Sequence, residues 1–200
     1  MFTGIVRGRG RLAASEERGG DRRLEIDTGG VVPEGALEPG ASVAVNGVCL
    51  TVVERTAGGF SADASRETLA KTTLGDLAMG ADVNLEPALA AGDPLGGHLM
   101  SGHVDGIGEV LGRERDARAW RMRFRVPSGL AHLVAAKGSI AIDGVSLTVN
   151  GVDGGEFDVA IIPATMERTV IAGYEPGTRV NLEADMIARY LDRLLAERGR

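Results

Sequence analysis

The chain has few cysteines, histidines and aromatic residues. Its 200 residues include one cysteine (Cys49) and three histidines, and the aromatic share is 4%. A single cysteine cannot form an intramolecular disulfide, and no two histidines have the i, i+4 spacing of a helical metal pair. We therefore expect neither a disulfide nor a metal site, and a chain of this length can bury a sufficient core without them.

The sequence also lacks long apolar runs and blocks of basic residues. Its net charge is −6, and its isoelectric point is about 5.2. These absences argue against a membrane-spanning helix and against a nucleic-acid-binding surface. The first residues show no charged leader followed by an apolar stretch, so no signal peptide is expected. We predict a cytoplasmic protein that binds neither membranes nor nucleic acids.

Glycine, by contrast, is abundant. The chain has 30 glycines, which is 15% of its residues against an average of about 7%. They do not follow the period of collagen, and an apolar share of 44% argues against a disordered chain. This composition favours many turns and therefore many short strands.

The chain repeats itself, in order, at a spacing of 97 to 98 residues. The segment SVAVNGVCLTV (42–52) matches SIAIDGVSLTV (139–149), and GADVNLE (80–86) matches GTRVNLE (177–183). The glycines at 4, 8 and 10 fall on those at 102, 106 and 108. The pattern indicates a tandem duplication of a unit of about 95 residues, which is the size of a small domain.

Each repeat has the pattern of a small β-domain. Asn46-Gly47 and Asp143-Gly144 predict type I′ hairpin turns between β-branched segments. About six strands per repeat, with frequent turn signals, predict a sandwich or a small closed barrel. We expect short helical turns after Pro33 and Pro127 and over residues 66–73 and 165–171. Residues 88–97, rich in glycine and proline, form the predicted linker.

The C-terminal segment predicts a helix instead. From residue 185 to residue 198 it has no glycine or proline, and apolar residues at 187, 190, 191, 194 and 195 share one helical face. An isolated helix of this length is marginally stable in water. The apolar stripe must therefore pack on a barrel or on the same helix of another subunit.

Candidate functional residues lie where the two repeats differ. Three of four notable exchanges introduce an ionisable group into the second repeat; the four pairs are Ile5 with His103, Cys49 with Ser146, Asn46 with Asp143, and Ala88 with Asp185. Drift on a solvated surface is the alternative explanation. His103 is the strongest candidate, because imidazole exchanges protons near neutral pH and two glycines precede it.

Other residues admit simpler readings. Cys49 fits either a small core residue or a short polar group near a ligand. His98 is interpreted as structural or linker-capping, and His132 as a surface residue. No serine lies in a G-x-S-x-G motif, and no dinucleotide-binding fingerprint is present.

Several segments together resemble the riboflavin synthase family, the alpha-chain type with two lumazine-binding repeats. The segments are MFTGIV (1–6), NGVCLTV (46–52), RETL (66–69), LGDL (74–77), GGHLMSGHVDG (96–106), KGSIAIDGVSLTV (137–149), IPAT (162–165) and NLEAD (181–185). They span almost the whole chain in order. Ala164 departs from the family, which commonly has an acidic residue there.

The resemblance implies an all-β fold of two tandem six-stranded Greek-key β-barrels related by duplication, plus a C-terminal α-helix. The implied division is a first barrel over 1–97, a second over 98–184, and a trimerisation helix over 185–200. It further implies a homotrimer, with a catalytic site between the first barrel of one subunit and the second barrel of its neighbour. Lumazine synthase is a further candidate partner.

The implied reaction is the dismutation of two molecules of 6,7-dimethyl-8-ribityllumazine. One molecule transfers a four-carbon unit to the other, which yields riboflavin and 5-amino-6-(D-ribitylamino)uracil without a metal, nucleotide or redox cofactor. The alternative is a non-catalytic lumazine- or flavin-binding antenna protein, whose second repeat tends to lose polar site residues. A flavin-dependent reductase would need a nucleotide-binding domain, and a structural β-protein leaves the polar differences between the repeats unexplained.

The resemblance also implies the substrate-binding residues. In the first barrel they are Cys49, Leu50, Thr51, Asp63, Ala64, Ser65, Arg66, Glu67 and Thr68, completed by Gly102, His103 and Val104 from a partner's second barrel. In the second barrel they are Lys137, Ser146, Leu147, Thr148, Ile162, Pro163, Ala164, Thr165, Met166 and Glu167, completed by Gly4, Ile5 and Val6.

The catalytic hypothesis assigns two roles. His103 is the base that removes a proton from the 7-methyl group of one lumazine. Water or a hydroxyl, that of Ser42 or Ser146, adds to C7 of the other lumazine. Cys49, Thr148 and Asp185 assist in proton transfer and orientation.

Overall fold

The protein forms two closed, antiparallel, six-stranded β-barrels. A computed structural model describes residues 1–198, so the last two residues of the predicted helical segment lie outside the described residues. The first barrel consists of β1 (Gly8–Arg18), β2 (Asp21–Asp27), β3 (Ser42–Val45), β4 (Val48–Arg55), β5 (Gly59–Ala64) and β6 (Asp82–Pro87). The second consists of β7 (Gly106–Asp116), β8 (Ala119–Arg125), β9 (Ser139–Ile142), β10 (Val145–Asp153), β11 (Glu156–Ile161) and β12 (Arg179–Ala184).

The two barrels have the same strand order. Around the first it is β1-β2-β5-β4-β3-β6, and around the second it is β7-β8-β11-β10-β9-β12. In each barrel the hairpin of the third and fourth strands lies between the fifth and sixth strands, and β2 pairs with β5 rather than with β3. The prediction of duplicated all-β barrels is confirmed.

The turns that join β3 to β4 and β9 to β10 follow the predicted chemistry. Asn46 and Gly47 have φ values of 46° and 76°, and Asp143 and Gly144 have 43° and 79°. Positive φ at both central positions is the mark of a type I′ turn, whose twist matches that of the strands. These turns set the register of each hairpin.

Short helices close the ends of the barrels. They are α1 (Arg66–Lys71), α2 (Pro163–Arg168) and 3-10 helices over Glu34–Ala36, Thr73–Asp76, Ala131–Leu133 and Val170–Gly173. The four predicted helical regions are therefore present. The 3-10 helix predicted after Pro127 begins four residues beyond it, at Ala131. Helix α2 begins two residues earlier than expected, because Pro163 occupies its first turn, where proline is favoured.

Two segments outside the strands cross between the barrels. We call residues 1–7 the N-terminal segment and residues 98–105 the connecting segment. Val6 lies in the core of the second barrel, and Val104 packs against the core of the first. Phe2 and Met100 exchange backbone hydrogen bonds of 2.8 and 3.0 Å, so the two segments pair where they cross.

The barrels meet at the tips of their equivalent hairpins. A Cβ atom on Gly47 would lie 2.6 Å from the backbone nitrogen of Gly144, so the backbones are in direct contact. Asn84 and Asn181 each donate a side-chain amide, at 2.8 Å, to the carbonyl of a turn residue of the other barrel. Both asparagines are 1% exposed. Two buried asparagines thus form reciprocal hydrogen bonds across the interface between the barrels.

Asp143 belongs to this interface. Its carboxylate accepts hydrogen bonds from the Tyr174 hydroxyl and, at 2.8 Å, from the backbone of Asn181. Burial raises the pKa of Asp143 to about 7 despite these bonds. The first repeat has Asn46 and Leu77 at the equivalent positions. The exchange of Asn46 for Asp143 therefore concerns barrel contact.

The C-terminal helix α3 (Met186–Arg198) extends beyond the barrels. Its apolar side chains are 52 to 69% exposed; they are Ile187, Tyr190, Leu191, Leu194 and Leu195. The predicted stripe is thus present, and the barrels of the same chain do not bury it. Within residues 1–198, no helix has the length and apolar character needed to cross a membrane.

Candidate active site

Each barrel presents an equivalent polar face on its central hairpin. In the first barrel, Ser42 pairs with Thr51 and Ala44 pairs with Cys49. Directly opposed residues of an antiparallel pair share one face of the sheet, and their sequence neighbours point the other way. Ser42, Cys49 and Thr51 therefore face outwards, whereas Leu50 is 3% exposed and lies in the core.

The second barrel repeats this arrangement with different chemistry. Ser139 pairs with Thr148, and Ala141 pairs with Ser146, so the two predicted hydroxyls face outwards. Leu147 lies in the core. Among the predicted binding residues, Leu147 and its counterpart Leu50 can therefore offer a ligand only backbone groups.

Two segments of the same chain lie beside these hairpin faces. The carbonyl of Gly102 accepts a hydrogen bond from Cys49 N at 2.8 Å, and the carbonyl of Gly4 accepts one from Ser146 N at 2.9 Å. The connecting segment, which carries Gly102, His103 and Val104, thus lies on the first barrel of its own chain, and the completion of that site by a partner subunit stays a prediction. The connecting segment reaches the first barrel of its own chain because the hairpin tips hold the two barrels side by side.

Two buried glutamates hold these segments in place. Glu86 accepts hydrogen bonds from the backbone and hydroxyl of Thr3, both at 2.7 Å, and from Gly4 N at 3.0 Å. Glu183 accepts the equivalent three bonds from residues 101–102 at 2.6 to 3.0 Å. Each glutamate belongs to one barrel and orients the segment that completes the site on the other.

The sequence reasoning did not identify these glutamates. The available signal was their recurrence at the end of VNLE in both repeats, together with a hydroxyl residue before each glycine, Thr3 and Ser101. Burial raises the pKa of Glu86, and the bonds from Thr3 and Gly4 oppose that rise.

His98, interpreted from the sequence as structural or linker-capping, contacts a candidate residue of the second barrel. Its Nδ1 lies 2.7 Å from Ser146 Oγ, and its Nε2 is buried without a hydrogen-bond partner. Burial lowers the pKa of His98, whereas the charges of Asp185 and Glu183 act in the opposite direction. A neutral imidazole can accept the Ser146 proton, so the pair has the chemistry of an activated hydroxyl.

The first repeat has Cys49 at the position of Ser146, so a thiol stands there in place of the hydroxyl that contacts His98. The dyad therefore distinguishes the two sites. The signal in the sequence was the position of His98 in the same glycine-flanked segment as His103.

The predicted residues around α1 have mixed placements. Ser65 caps the helix and accepts a bond from Thr68 N at 3.1 Å. Asp63 makes a two-pronged contact with Arg23, 2.7 Å for each bond, which lowers the pKa of Asp63. Ala64 is fully buried in the core, while Arg66 and Glu67 are exposed.

Around α2, the predicted residues mostly face outwards. Ile162 is 57% exposed, and Pro163, Ala164 and Glu167 are exposed as well. Thr165 is half-buried, and Met166 packs partly on the core of the second barrel. Lys137 is exposed just before β9, with a positive φ of 66°.

The remaining catalytic candidates are not hydrogen-bonded to the hairpin residues. The His103 side chain is exposed and has no hydrogen-bond partner within residues 1–198. Asp185 accepts a bond from Ile187 N at 2.9 Å and thereby caps α3. Ile5 is 44% exposed, while its neighbour Val6 is buried. Over the same residues, no group of three His, Cys, Asp or Glu side chains is placed to hold a metal ion.

Comparison with known proteins gives a consistent result. The family described as the lumazine binding domain matches residues 3–88 and 101–185, one match for each barrel. The chain is 45% identical to the riboflavin synthase of Mycobacterium tuberculosis over the full length of both proteins. It is 42% identical to that of Photobacterium phosphoreum, over 98% of this chain and 89% of the relative.

Solved structures show the same fold. LumP complexed with riboflavin superposes with a TM-score of 0.82 and 26% identity, over 92% of this chain and 99% of that one. LumP complexed with 6,7-dimethyl-8-(1'-D-ribityl)lumazine gives a TM-score of 0.80 at 24% identity over the same shares. With both barrels matched and full-length relatives well above the level of chance similarity, the chain belongs to the riboflavin synthase family of two-repeat lumazine-binding proteins.

Proposed function

We propose that this protein is a riboflavin synthase. It converts two molecules of 6,7-dimethyl-8-ribityllumazine into riboflavin and 5-amino-6-(D-ribitylamino)uracil by transfer of a four-carbon unit. The two products together contain every atom of the two substrates, so the reaction needs no external oxidant or reductant. The observation that carries the proposal is the similarity to riboflavin synthases over the whole chain.

The doubled site supports this reaction. Two molecules of one substrate need two similar binding sites, and each barrel has an outward polar hairpin face beside a crossing segment. The donor and the acceptor must nevertheless react differently. The pairing of Ser146 with His98 in the second site, against Cys49 in the first, supplies such a difference.

We assign the roles as follows. His103 is the base that removes the 7-methyl proton, and its exposed imidazole is free to approach a ligand. Water or a hydroxyl, that of Ser146 or Ser42, adds to C7 of the second lumazine. Thr148 and Cys49 line the polar faces.

Substrate recognition in this proposal relies on short side chains and backbone groups. Thr51 with residues 63–68 forms the first site, and Thr148 with Lys137 and residues 162–167 forms the second. Backbone amides and carbonyls read the pyrimidine edge, which suits a site whose polar side chains are short.

The active assembly is proposed to be a homotrimer in the cytoplasm. The exposed apolar stripe of α3 supports self-association, because five large apolar side chains on one face favour burial against other copies. Assembly brings the first barrel of one subunit opposite the second barrel of its neighbour. Sedimentation should show a trimer, and Leu191→Asp should give a monomer, whereas Arg193→Asp, at a 73% exposed position outside the apolar stripe, should not.

Lumazine synthase is a candidate partner, because it releases the lumazine that this enzyme consumes. The second candidate function, a non-catalytic antenna protein, is favoured by the structural similarity to LumP. The two functions predict different results with the same ligand. An antenna protein binds lumazine and leaves it unchanged.

One experiment separates them. Purified protein is mixed with 6,7-dimethyl-8-ribityllumazine alone, and riboflavin formation is followed by absorbance. We expect turnover in the wild type, and slow turnover with nearly unchanged lumazine binding in His103→Ala. Tight binding without product would identify an antenna protein, and unchanged turnover in His103→Ala would remove that residue from the mechanism.

A further inference from the structure

The position of the His103 imidazole depends on the backbone of residue 103, because the described residues bond only to its backbone atoms. The side chain is exposed and has no hydrogen-bond partner among the described residues, so its direction depends on the connecting segment that bears it. That segment is held on one side by Glu183, through residues 101–102. What holds the other side decides where the imidazole points.

The other side is held by Asp105 and Arg189. Asp105 N donates to the carbonyl of Leu182, and Asp105 Oδ2 accepts a bond from Ala184 N, both at 2.8 Å. Arg189, in the first turns of α3, donates from Nη2 to Asp105 Oδ2 at 2.8 Å and to the carbonyl of His103 at 3.3 Å. One guanidinium thus contacts both His103 itself and the carboxylate beside it.

The environment of Arg189 differs from that of Arg193 in the same helix. The side chain of Arg189 is one-third exposed, and that of Asp105 is 16% exposed. The Nε atom of Arg189 is buried and has no hydrogen-bond partner among the described residues. Arg193, one turn later, is 73% exposed and pairs with Glu197 of its own helix at 2.9 Å. The guanidinium of Arg189 therefore bonds to the connecting segment, whereas that of Arg193 pairs within its own helix.

The arrangement occurs in only one repeat. The position of Asp105 is Arg7 in the first repeat, and Arg189 lies beyond the end of the second repeat, which is matched up to residue 185. The N-terminal segment therefore has no such contact, just as it has isoleucine where the connecting segment has His103. The ion pair between Arg189 and Asp105 and the candidate base His103 therefore belong to the same segment.

We infer that Arg189 is a positioning residue that links the C-terminal helix to His103. It fixes the carbonyl of His103 and the carboxylate of Asp105 relative to α3, so the imidazole takes its working position only when α3 is in place. Burial of the apolar stripe of α3 against another copy would then favour the active placement of His103. The inference rests on the proposed function for its kinetic test, and on the geometry alone for its spectroscopic test.

The kinetic test compares full-length Arg189→Met, Arg189→Lys and the control Arg193→Met. A misplacement of about 1 Å of a reacting group costs roughly 10²-fold in rate, so we expect a loss of that order in kcat for Arg189→Met, with KM nearly unchanged. Arg189→Lys should recover part of the loss, because an ammonium reaches one acceptor but cannot span both. Arg193→Met should behave as wild type. Equal kcat values for Arg189→Met and Arg193→Met would overturn the inference.

The spectroscopic test uses the histidine imidazole signals in NMR spectra of the ligand-free protein, assigned with His103→Gln. Arg189→Met should shift the His103 signal and leave that of His132 unchanged, because His132 contacts Asp192 on α3 at 3.2 Å and reports that the helix is still docked. An unmoved His103 signal, or a shift of both signals, would overturn the inference. If the wild type forms no riboflavin, the proposed function fails, and this second test still decides the position of His103.

Discussion

The buried carboxyl of Asp143 makes a prediction about stability that is independent of catalysis. Asp143 lies fully buried between the barrels, and its first-repeat counterpart is the uncharged Asn46. Asp143→Asn therefore converts the second repeat to the chemistry that the first already has. The side chain keeps its shape and an oxygen for the bond from Asn181 N, and it loses the titration together with the oxygen that accepts the Tyr174 hydroxyl.

The size of the effect follows from the pKa. Burial raises it from its ordinary value of 3.8 to about 7. Between these values the folded protein holds a proton that the unfolded chain has released, so the stability from this group is full below pH 4 and is lost as the pH rises through 7. A tenfold change in an acid constant corresponds to about 1.4 kcal/mol, which gives a total of about 4 kcal/mol.

Urea unfolding of wild type and Asp143→Asn at several pH values between 4 and 8 measures this difference. The free energy of unfolding of the variant, relative to wild type, should rise by several kcal/mol across the range. The control Asp153→Asn, at the exposed end of β10, should run parallel to wild type. A constant difference between wild type and Asp143→Asn at every pH would refute the reasoning that this carboxyl is protonated in the folded state.

Two more predictions concern the same interface. Tyr174→Phe removes the hydrogen bond that favours the ionised form of Asp143, which raises the pKa of Asp143 further. In unfolding measurements, the variant should therefore lose more stability than wild type as the pH rises from 4 to 8. Gly144→Ala places a Cβ atom 2.8 Å from Gly47 N. Calorimetry should show that it lowers the free energy of unfolding by about 1–3 kcal/mol more than Gly154→Ala does. Gly154 also has a positive φ, of 56°, but has no atom within 4 Å, so equal losses would contradict direct backbone contact.

The fold could be predicted from the sequence because its signals are local and occur twice. The type I′ turns at Asn46-Gly47 and Asp143-Gly144 depend on two adjacent residues, and the repeat supplied independent confirmation of each strand. The stripe of α3 was likewise readable from its periodicity. These features need no knowledge of how the barrels are placed.

The exchange of segments could not be predicted in this way. Nothing local to Gly102 indicates that its carbonyl meets Cys49 of the same chain, because that contact depends on the docking of the two barrels. The anchoring by Glu183, and the bond between His98 and Ser146, depend on the same docking and join residues far apart in sequence. Asp143 is a case of the opposite kind. Its difference from Asn46 suggested a functional residue, whereas the structure places Asp143 at the contact between the barrels.

The central claim is that two identical molecules react on two related sites. The most direct measurement is the stoichiometry of the reaction, with lumazine, riboflavin and 5-amino-6-(D-ribitylamino)uracil quantified by chromatography after incubation with extensively dialysed protein. The account predicts that two lumazines disappear for each riboflavin formed, with one pyrimidine product. Consumption of one lumazine per riboflavin, or absence of the pyrimidine product, would contradict it.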